Sequence, residues 1–241
     1  MLTFKQRVIK FEYKLNETDE EIIDWINKNS KVISKITITK LSAKTNVSPN
    51  TISRLCNKLD YRGFSDFKFE FQKDMEKKTN FSKLQPYEIN LNLIDVERER
   101  KAVNLMSKAN KIVFFAVGET AFVAHNFSYM FHAVDQKSEF ITYENQAFRE
   151  LQNNKNILLF CISQSGETKQ ILKAAKIAKK NHQKIIALTS LKVNNLQKYA
   201  DISLYSYAEP FYWHGYNLTD KLPLYIILNS LFQKYFEKHN F

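Results

Sequence analysis

The chain has 241 residues, of which 44% are hydrophobic, and a formal net charge of +11 with a sequence pI near 9.4. This length allows one large or two modest domains, and the basic charge favours a polyanionic partner. No apolar run approaches the ~18 residues of a membrane span, and the charged first residues argue against a signal peptide. Cys56 and Cys161 fall in apolar patterns, which predicts buried free thiols in a reducing compartment. We therefore expect a cytoplasmic protein with no membrane partner.

The basic charge is concentrated in the amino-terminal third. Between Trp25 and Leu59 the sequence has seven basic residues and no acidic residue. The seven are Lys28, Lys31, Lys35, Lys40, Lys44, Arg54 and Lys58. A local positive field of this size predicts a nucleic-acid-binding surface.

The same window predicts a helix-turn-helix. A capping box at Thr18 to Glu21 predicts the start of a first helix, and a short second helix is expected at 39–45. Asn46 tolerates the left-handed conformation that a tight turn needs. Ser48 as N-cap and Pro49 at the first helical position predict the start of a third helix.

The third predicted helix has one apolar and one polar face. The apolar stripe follows the spacing i, i+3, i+4, i+7 and consists of Ile52, Leu55, Cys56 and Leu59. In a helix-turn-helix, this helix enters the major groove and its first turns reach the base edges. The candidate DNA-binding residues are Lys44, Ser48, Asn50, Thr51, Ser53, Arg54, Asn57 and Lys58.

A strand–loop–helix–strand pattern follows in the second half of the chain. Apolar runs at 157–162 and 185–188 predict two strands, with an amphipathic helix between them up to about His182. The loop from Ser163 to Thr168 carries three hydroxyl groups and one glycine at the amino end of that helix. Such a position binds phosphate well because its N–H donors are unsatisfied and the helix dipole favours an anion. The open alternative is a loop that only turns the chain and caps the helix.

Further apolar runs predict strands at Lys111–Val117, Phe140–Tyr143 and Ile202–Tyr205. About five strands that alternate with helices predict a doubly wound, mainly parallel sheet. Ser190 follows the strand predicted at 185–188 and is expected to close a ligand pocket beside the loop Ser163–Thr168. The predicted fold class is therefore an all-α helix-turn-helix domain followed by an α/β domain.

The helical pattern breaks between the two predicted domains, at Asn80, Pro86 and Asn90. We therefore expect three segments: a helix-turn-helix domain at 1–78, a linker at 79–92 and an α/β domain at 93–241.

The loop Ser163-Gln164-Ser165-Gly166-Glu167-Thr168 resembles the S-x-S-G-x-T pattern of the sugar isomerase (SIS) domain, which binds phosphorylated sugars. The loop after the first strand resembles the G-x-G-x-S pattern of that domain, with Ala116 at the first glycine and Thr120 at the serine. The resemblance implies a phosphosugar site formed by Gly118, Thr120, Ser163, Ser165, Gly166, Thr168 and Ser190.

The segment from Leu15 to Phe71 resembles the DNA-binding domain of the RpiR family of bacterial transcription regulators. The most specific matches are Val47-Ser48, Thr51 to Cys56 and Arg62 to Lys68, while Leu59-Asp60 replaces the usual Leu-Gly. That family pairs this domain with a SIS domain. The resemblance implies a transcriptional regulator whose SIS domain senses a sugar phosphate effector and modulates operator binding. Because one helix reads few base pairs, we expect a homodimer or higher homo-oligomer on a palindromic double-stranded DNA operator.

The alternative function is a phosphosugar isomerase with an appended helical domain. Such an enzyme needs a base near the first two sugar carbons, and Glu119, Glu167 and His214 are the candidates. No acid–base pair stands out, so we expect a regulator without enzyme activity. No histidine has metal-ligand spacing with cysteines or carboxylates, so we expect neither a metal nor a cofactor.

Overall fold

The computed structural model describes residues 2–76 and 85–240. The chain divides into two compact units, Met1–Ser82 and Lys83–Phe241. Within the described residues, none of the helices combines the length and apolar composition that a membrane crossing requires. The predicted helical break at Asn80 falls outside the described residues.

The first unit is built of helices around one core. The helices are α1 (Phe4–Lys10), α2 (Glu17–Lys28), α3 (Ser30–Ile33), α4 (Ile38–Thr45), α5 (Pro49–Lys58) and α6 (Phe64–Glu76). Side chains from α1, α2, α5 and α6 meet in this core, where Ile22, Ile52 and Phe67 are buried. The predicted helix-turn-helix is confirmed as α4 and α5.

Local capping determines where α5 begins. Asn46 has a φ of 53° and forms the left-handed end of α4, as its side chain allows. Ser48 Oγ accepts a hydrogen bond from the N–H of Thr51 (3.2 Å), and Pro49 occupies the first turn. The predicted apolar stripe is buried in full: Ile52, Leu55, Cys56 and Leu59.

The capping box of α2 lies two residues earlier than predicted. Asn16 Oδ1 accepts from the N–H of Asp19 (3.0 Å), and Asp19 Oδ2 accepts from the N–H of Asn16 (3.0 Å). The prediction of Thr18 as the cap was wrong because the asparagine side chain already satisfies the first free N–H groups of the helix.

A buried arginine stabilises the end of α5. Asp60 has a φ of 63°, a left-handed conformation that a glycine would adopt at less cost. Arg7 Nη1 donates to the carbonyl oxygens of Leu59 (3.0 Å) and Asp60 (2.7 Å), and its guanidinium lies over the Tyr61 ring. Because Arg7 binds these carbonyls, the Leu59-Asp60 sequence still produces the turn that follows the helix.

A parallel sheet forms the centre of the second unit. In chain order its strands are β1 (Lys111–Phe115), β2 (Ser138–Phe140), β3 (Ile157–Ser163), β4 (Lys184–Ser190) and β5 (Ile202–Ser206). Their spatial order is β2-β1-β3-β4-β5, and every neighbouring pair is parallel. The expected strand at Phe140–Tyr143 was placed too late, because Tyr143 is already the N-cap of the next helix.

Helices cover both faces of this sheet. They are α7 (Gln85–Leu93), α8 (Val96–Lys108), α9 (Thr120–Asp135), α10 (Glu144–Asn153), α11 (Lys169–Lys180) and α12 (Leu222–Asn240). Val113 and Leu159 face α10 and α11 on one side. On the other side Phe114 packs against Phe131 of α9, which in turn meets Phe232 of α12. The doubly wound architecture is therefore confirmed.

The predicted helical breaks at Pro86 and Asn90 were wrong. Both residues lie in α7. Pro86 stands in the first turn, where a backbone N–H would have no acceptor within the helix, so the missing N–H of proline costs no hydrogen bond. The Asn90 side chain is buried and exchanges hydrogen bonds with the backbone of Tyr207, donating to its O (2.7 Å) and accepting from its N–H (2.8 Å). Asn90 thus fastens α7 to the segment after β5 instead of ending the helix.

Both cysteines are free and buried, as predicted. Burial raises the pKa of the Cys56 thiol to about 12 and also raises the pKa of the Cys161 thiol. Both side chains therefore act as small apolar groups in their cores.

Ile52→Ala should lower the free energy of unfolding of the first unit by about 2–5 kcal/mol, because it opens a cavity between α5 and the core. Asn57→Ala on the same helix is the matched control, since Asn57 is exposed, and should change stability by less than about 0.5 kcal/mol. Urea unfolding followed by circular dichroism measures both. Equal losses in the two variants would contradict the assigned faces of α5.

Candidate functional site

The site lies where the strand order of the sheet reverses. β1 stands between β2 and β3, so the chain leaves β1 in one direction across the sheet and proceeds from β3 in the other. Sheets of this kind bind ligands outside the carboxyl ends of the strands at that switch point. A cavity of about 600 Å³ opens there, lined by the segments that follow β1, β3, β4 and β5.

Most of the residues predicted to bind a phosphosugar line this cavity: Gly118, Thr120, Ser163, Ser165, Thr168 and Ser190. They come from loops that are distant in sequence and that the parallel sheet brings together. Gly166 was predicted with them but is absent from the lining; it is buried beside Asn194.

The three hydroxyl groups of the loop after β3 form one connected cluster. Ser163 Oγ accepts from the N–H of Gly166 (3.1 Å) and lies 3.0 Å from Thr168 Oγ1. Ser165 Oγ accepts from the N–H of Glu167 (3.1 Å) and lies 3.5 Å from Thr168 Oγ1. Ser163 is buried and Ser165 is exposed. The exposed Ser165 hydroxyl is therefore the member of this cluster that solvent, or a ligand in the cavity, reaches directly.

Two helix amino termini point to the same cavity. Thr168 is the N-cap of α11, yet its hydroxyl makes no capping hydrogen bond. Glu119, the N-cap of α9, also makes none. The N–H groups of a first helical turn have no intrahelical acceptor, and the helix dipole is positive at that end. Together the two termini provide an electrostatic environment suited to a phosphate group.

Gly166 allows the loop to pack closely against the segment after β4. Its φ is +67°, and an added Cβ would lie 2.2 Å from Cγ and Oδ1 of Asn194. Its carbonyl oxygen accepts from the N–H of Leu196 (3.1 Å). The glycine thus shapes the loop from behind and does not contact the cavity.

Two lysines that were absent from the predicted site line the cavity, Lys192 and Lys221. Lys221 pairs with Glu119 (3.4 Å) and donates to the carbonyl oxygen of Thr219 (2.5 Å). A basic side chain alone could not identify either residue, because the chain has 36 lysines and arginines.

Gln164 connects the segment Ser163–Thr168, the hydroxyl loop, to the chain that enters α12. Its Nε2 donates to the carbonyl oxygen of Asp220 (2.8 Å), next to Lys221. Its Oε1 is buried and has no hydrogen-bond partner among the described residues, and Gln164 lines the cavity. This hydrogen bond fixes the loop beside the residue that precedes Lys221.

A hairpin that was not predicted from the sequence lies at the cavity and is formed by β6 (Tyr212–Trp213) and β7 (Tyr216–Asn217). Its two-residue turn has positive φ at His214 (46°) and Gly215 (82°). A pair of positive φ angles is the geometry of a tight hairpin turn, so the His-Gly pair between aromatic residues was the available signal.

Two of the three candidate bases, Glu119 and Glu167, line the cavity, and both already have partners. Glu167 accepts from the N–H (2.8 Å) and Nδ2 (2.8 Å) of Asn195, and these hydrogen bonds lower the pKa of its carboxyl. Glu119 is paired with Lys221. His214 lies in the hairpin turn, outside the residues that line the cavity. No cluster of three or more histidines, cysteines or carboxylates suited to a metal occurs among residues 2–76 and 85–240.

The candidate DNA-binding residues lie on or beside the outer face of α5. Exposed members are Lys44, Ser48, Asn50, Arg54 and Asn57, whereas Thr51, Ser53 and Lys58 are half-buried. Lys58 forms an ion pair with the buried Asp19 of α2. Part of its charge is therefore used inside the first unit, which makes it a weaker candidate for a phosphate contact than Arg54.

Gly166→Ala should destabilise the second unit by roughly 1–3 kcal/mol more than Gly118→Ala, because only the first change forces a side chain into Asn194. The two glycines have nearly the same φ, +67° and +68°, and an added Cβ at Gly118 meets nothing within 4 Å. The backbone strain of an alanine is therefore about the same at both positions, and the difference between the two variants reports the clash with Asn194. Thermal unfolding measures both variants, and equal losses would show that the close packing does not matter.

Comparison with known proteins identifies both units. The family model of the SIS domain matches residues 105–234, and that of the helix-turn-helix domain, rpiR family, matches residues 5–78. An uncharacterised HTH-type transcriptional regulator of Clostridium perfringens is 26% identical, covering 92% of this chain and 88% of its own. The HTH-type transcriptional regulator GlvR of Bacillus subtilis is also 26% identical, covering 92% and 91%.

A solved structure supports the same fold. The NanR protein of Vibrio vulnificus, complexed with ManNAc-6P, is 21% identical and has a TM-score of 0.57, with 98% of this chain and 92% of that chain covered. With an RpiR-type helix-turn-helix ahead of a SIS domain, the chain belongs to the RpiR family of bacterial transcriptional regulators.

Proposed function

We propose that the SIS domain of this regulator binds a phosphorylated sugar in the cavity at the carboxyl edge of its sheet, and that binding modulates the affinity of α5 for an operator. The observation that carries this proposal is the cluster of Ser163, Ser165 and Thr168 hydroxyls at the uncapped amino end of α11. Hydroxyl donors and a positive helix end are the groups that hold a phosphate without further chemistry.

The charges around the loop support an anionic ligand. Lys192 and Lys221 line the cavity, and Lys221 is held beside the loop through the Gln164–Asp220 hydrogen bond. The solved NanR complex contains ManNAc-6P, a sugar phosphate, in a protein of the same fold. We therefore take N-acetylmannosamine 6-phosphate as the first compound to test, together with other hexose 6-phosphates.

The DNA-binding part of the proposal rests on α5. Its outer face presents Asn50, Arg54 and Asn57, whose side chains are exposed. Two such helices in a symmetric dimer would lie on half-sites about one helical turn, ~34 Å, apart. We propose a homodimer or higher homo-oligomer on a palindromic operator, acting in the cytoplasm where the bacterial chromosome lies.

We also propose that the protein is not an enzyme. Its carboxylates near the cavity are committed to other contacts, Glu167 to Asn195 and Glu119 to Lys221. Binding alone needs only the hydroxyl loop. The absence of aldose–ketose turnover above background in a coupled assay is the expected result, and measurable turnover would revive the isomerase alternative.

Ser165→Ala should weaken the binding of N-acetylmannosamine 6-phosphate, or of the best-binding hexose 6-phosphate, by roughly 10- to 150-fold, because it removes a hydrogen bond to a charged oxygen. Isothermal titration calorimetry measures the affinity. Ser107→Ala is the control, since that hydroxyl donates to the Val103 carbonyl oxygen within α8 (2.8 Å) and does not line the cavity. Unchanged affinity in Ser165→Ala would remove the loop from the site.

Arg54→Ala should weaken specific operator binding by about 1–3 kcal/mol, since a lost base-edge contact has that value. Its effect on the stability of the first unit should be small because the side chain is exposed. Arg149→Ala removes the same charge from α10 of the other unit and controls for net charge. Gel-shift titration of both variants, with DNA selected for binding by the parent protein, measures the two affinities. Operator affinity equal to the parent in Arg54→Ala would show that α5 presents a different face to DNA.

A further inference from the structure

Aromatic side chains of the β6–β7 hairpin form one wall of the cavity. Tyr212 and Tyr216 line it and are 61% and 68% exposed, respectively. Trp213 has similar exposure, 60%, but does not line the cavity. Exposed aromatic surface concentrated at a cavity is typical of a binding site, because its exposure to water is unfavourable until a ligand covers it.

The hairpin is held at the cavity by hydrogen bonds at its base. The N–H of Leu218 donates to the carbonyl oxygen of Phe211 (2.8 Å), and the N–H of Phe211 donates to Thr219 Oγ1 (3.0 Å). The next residue, Asp220, accepts the hydrogen bond from Gln164 of the hydroxyl loop. The aromatic wall and the proposed phosphate site are therefore parts of one connected structure.

The chemistry of the two parts is complementary to a cyclic sugar phosphate. The hydroxyl loop and the amino end of α11 suit the phosphate. A six-membered sugar ring has a face of C–H bonds, which packs favourably on an aromatic ring, and tyrosine also keeps a hydroxyl for the polar edge of the sugar. A cavity of about 600 Å³ has room for both groups of such a ligand.

We propose that Tyr212 and Tyr216 stack on the sugar ring and select pyranose 6-phosphates over acyclic phosphates. This inference rests on the proposed phosphosugar site and adds its selectivity. The hydroxyl loop then supplies the affinity that all phosphate esters share, and the hairpin supplies the affinity that depends on the ring.

The test uses the full chain and four probes: N-acetylmannosamine 6-phosphate, glucose 6-phosphate, glycerol 3-phosphate and inorganic phosphate. Tyr212→Ala and Tyr216→Ala should each lower the affinity for the better-binding hexose phosphate by about tenfold, since each variant loses the apolar contact of one aromatic ring. Affinity for glycerol 3-phosphate and inorganic phosphate should change by less than about twofold. Calorimetry measures all four.

Three variants keep the test specific. Tyr212→Phe and Tyr216→Phe retain the ring and should bind hexose phosphates within about threefold of the parent. Trp213→Ala alters the same hairpin outside the cavity lining and should bind like the parent. A loss in Trp213→Ala as large as in the tyrosine variants, or a parallel loss of oligomer in light scattering, would assign the hairpin to contact with a second copy of the chain and overturn the proposal.

The results separate this inference from the proposed function. If the parent binds hexose phosphates and Ser165→Ala weakens them while the tyrosine variants bind normally, the hydroxyl-loop site stands and the hairpin has no role in selection. If the tyrosine variants lose affinity for all four probes by the same factor, the hairpin does not recognise the sugar ring, and the proposal is wrong. If the parent binds no phosphate compound at all, both proposals fail.

Discussion

The parallel alignment of the five strands is the constraint on which the candidate site depends. Registered pairing of β1 with β3 and of β3 with β4 places Phe115, Ser163 and Ser190 at the same edge of the sheet. Since parallel strands need a crossover connection, the chain leaves this edge after β1, β2 and β3 through a helix and after β4 through a short helical turn at 196–198. The reversal of strand order between β1 and β3 then leaves a crevice in which two helix amino termini meet.

The features that the sequence predicted are those determined by neighbouring residues. The start of α5 depends on Ser48 and Pro49, which are adjacent, and the hydroxyl loop is a contiguous segment. Apolar runs at 111–117, 157–162 and 185–188 identified buried strands because both faces of a parallel sheet are covered. The family resemblance supplied what local pattern cannot, the joint occurrence of a DNA-binding and a sugar-binding domain.

The features that the sequence did not predict depend on contacts between distant residues. Nothing near Asn90 indicates that its partner is Tyr207, and nothing near Gly166 indicates that Asn194 fills the space beside it. The positive charge was an ambiguous signal for a DNA-binding surface, because the pairing of a lysine with an acidic residue elsewhere in the chain cannot be predicted from its neighbours. Lys58 belongs to the basic window but is paired with Asp19, while α11 carries five lysines and no acidic residue outside that window.

The internal hydrogen bonds of the hydroxyl loop give the cavity a fixed edge before any ligand binds. Ser163 Oγ accepts a hydrogen bond from the N–H of Gly166 and contacts the Thr168 hydroxyl, so the loop keeps its shape without a ligand. A site that is already ordered loses less entropy when a ligand binds. The carboxylate of Glu167, one of the three candidate bases, fixes the loop to Asn195. Glu167 lies within the loop Ser163–Thr168, so a proton transfer by its carboxylate would require breaking the hydrogen bonds to Asn195 that hold this loop.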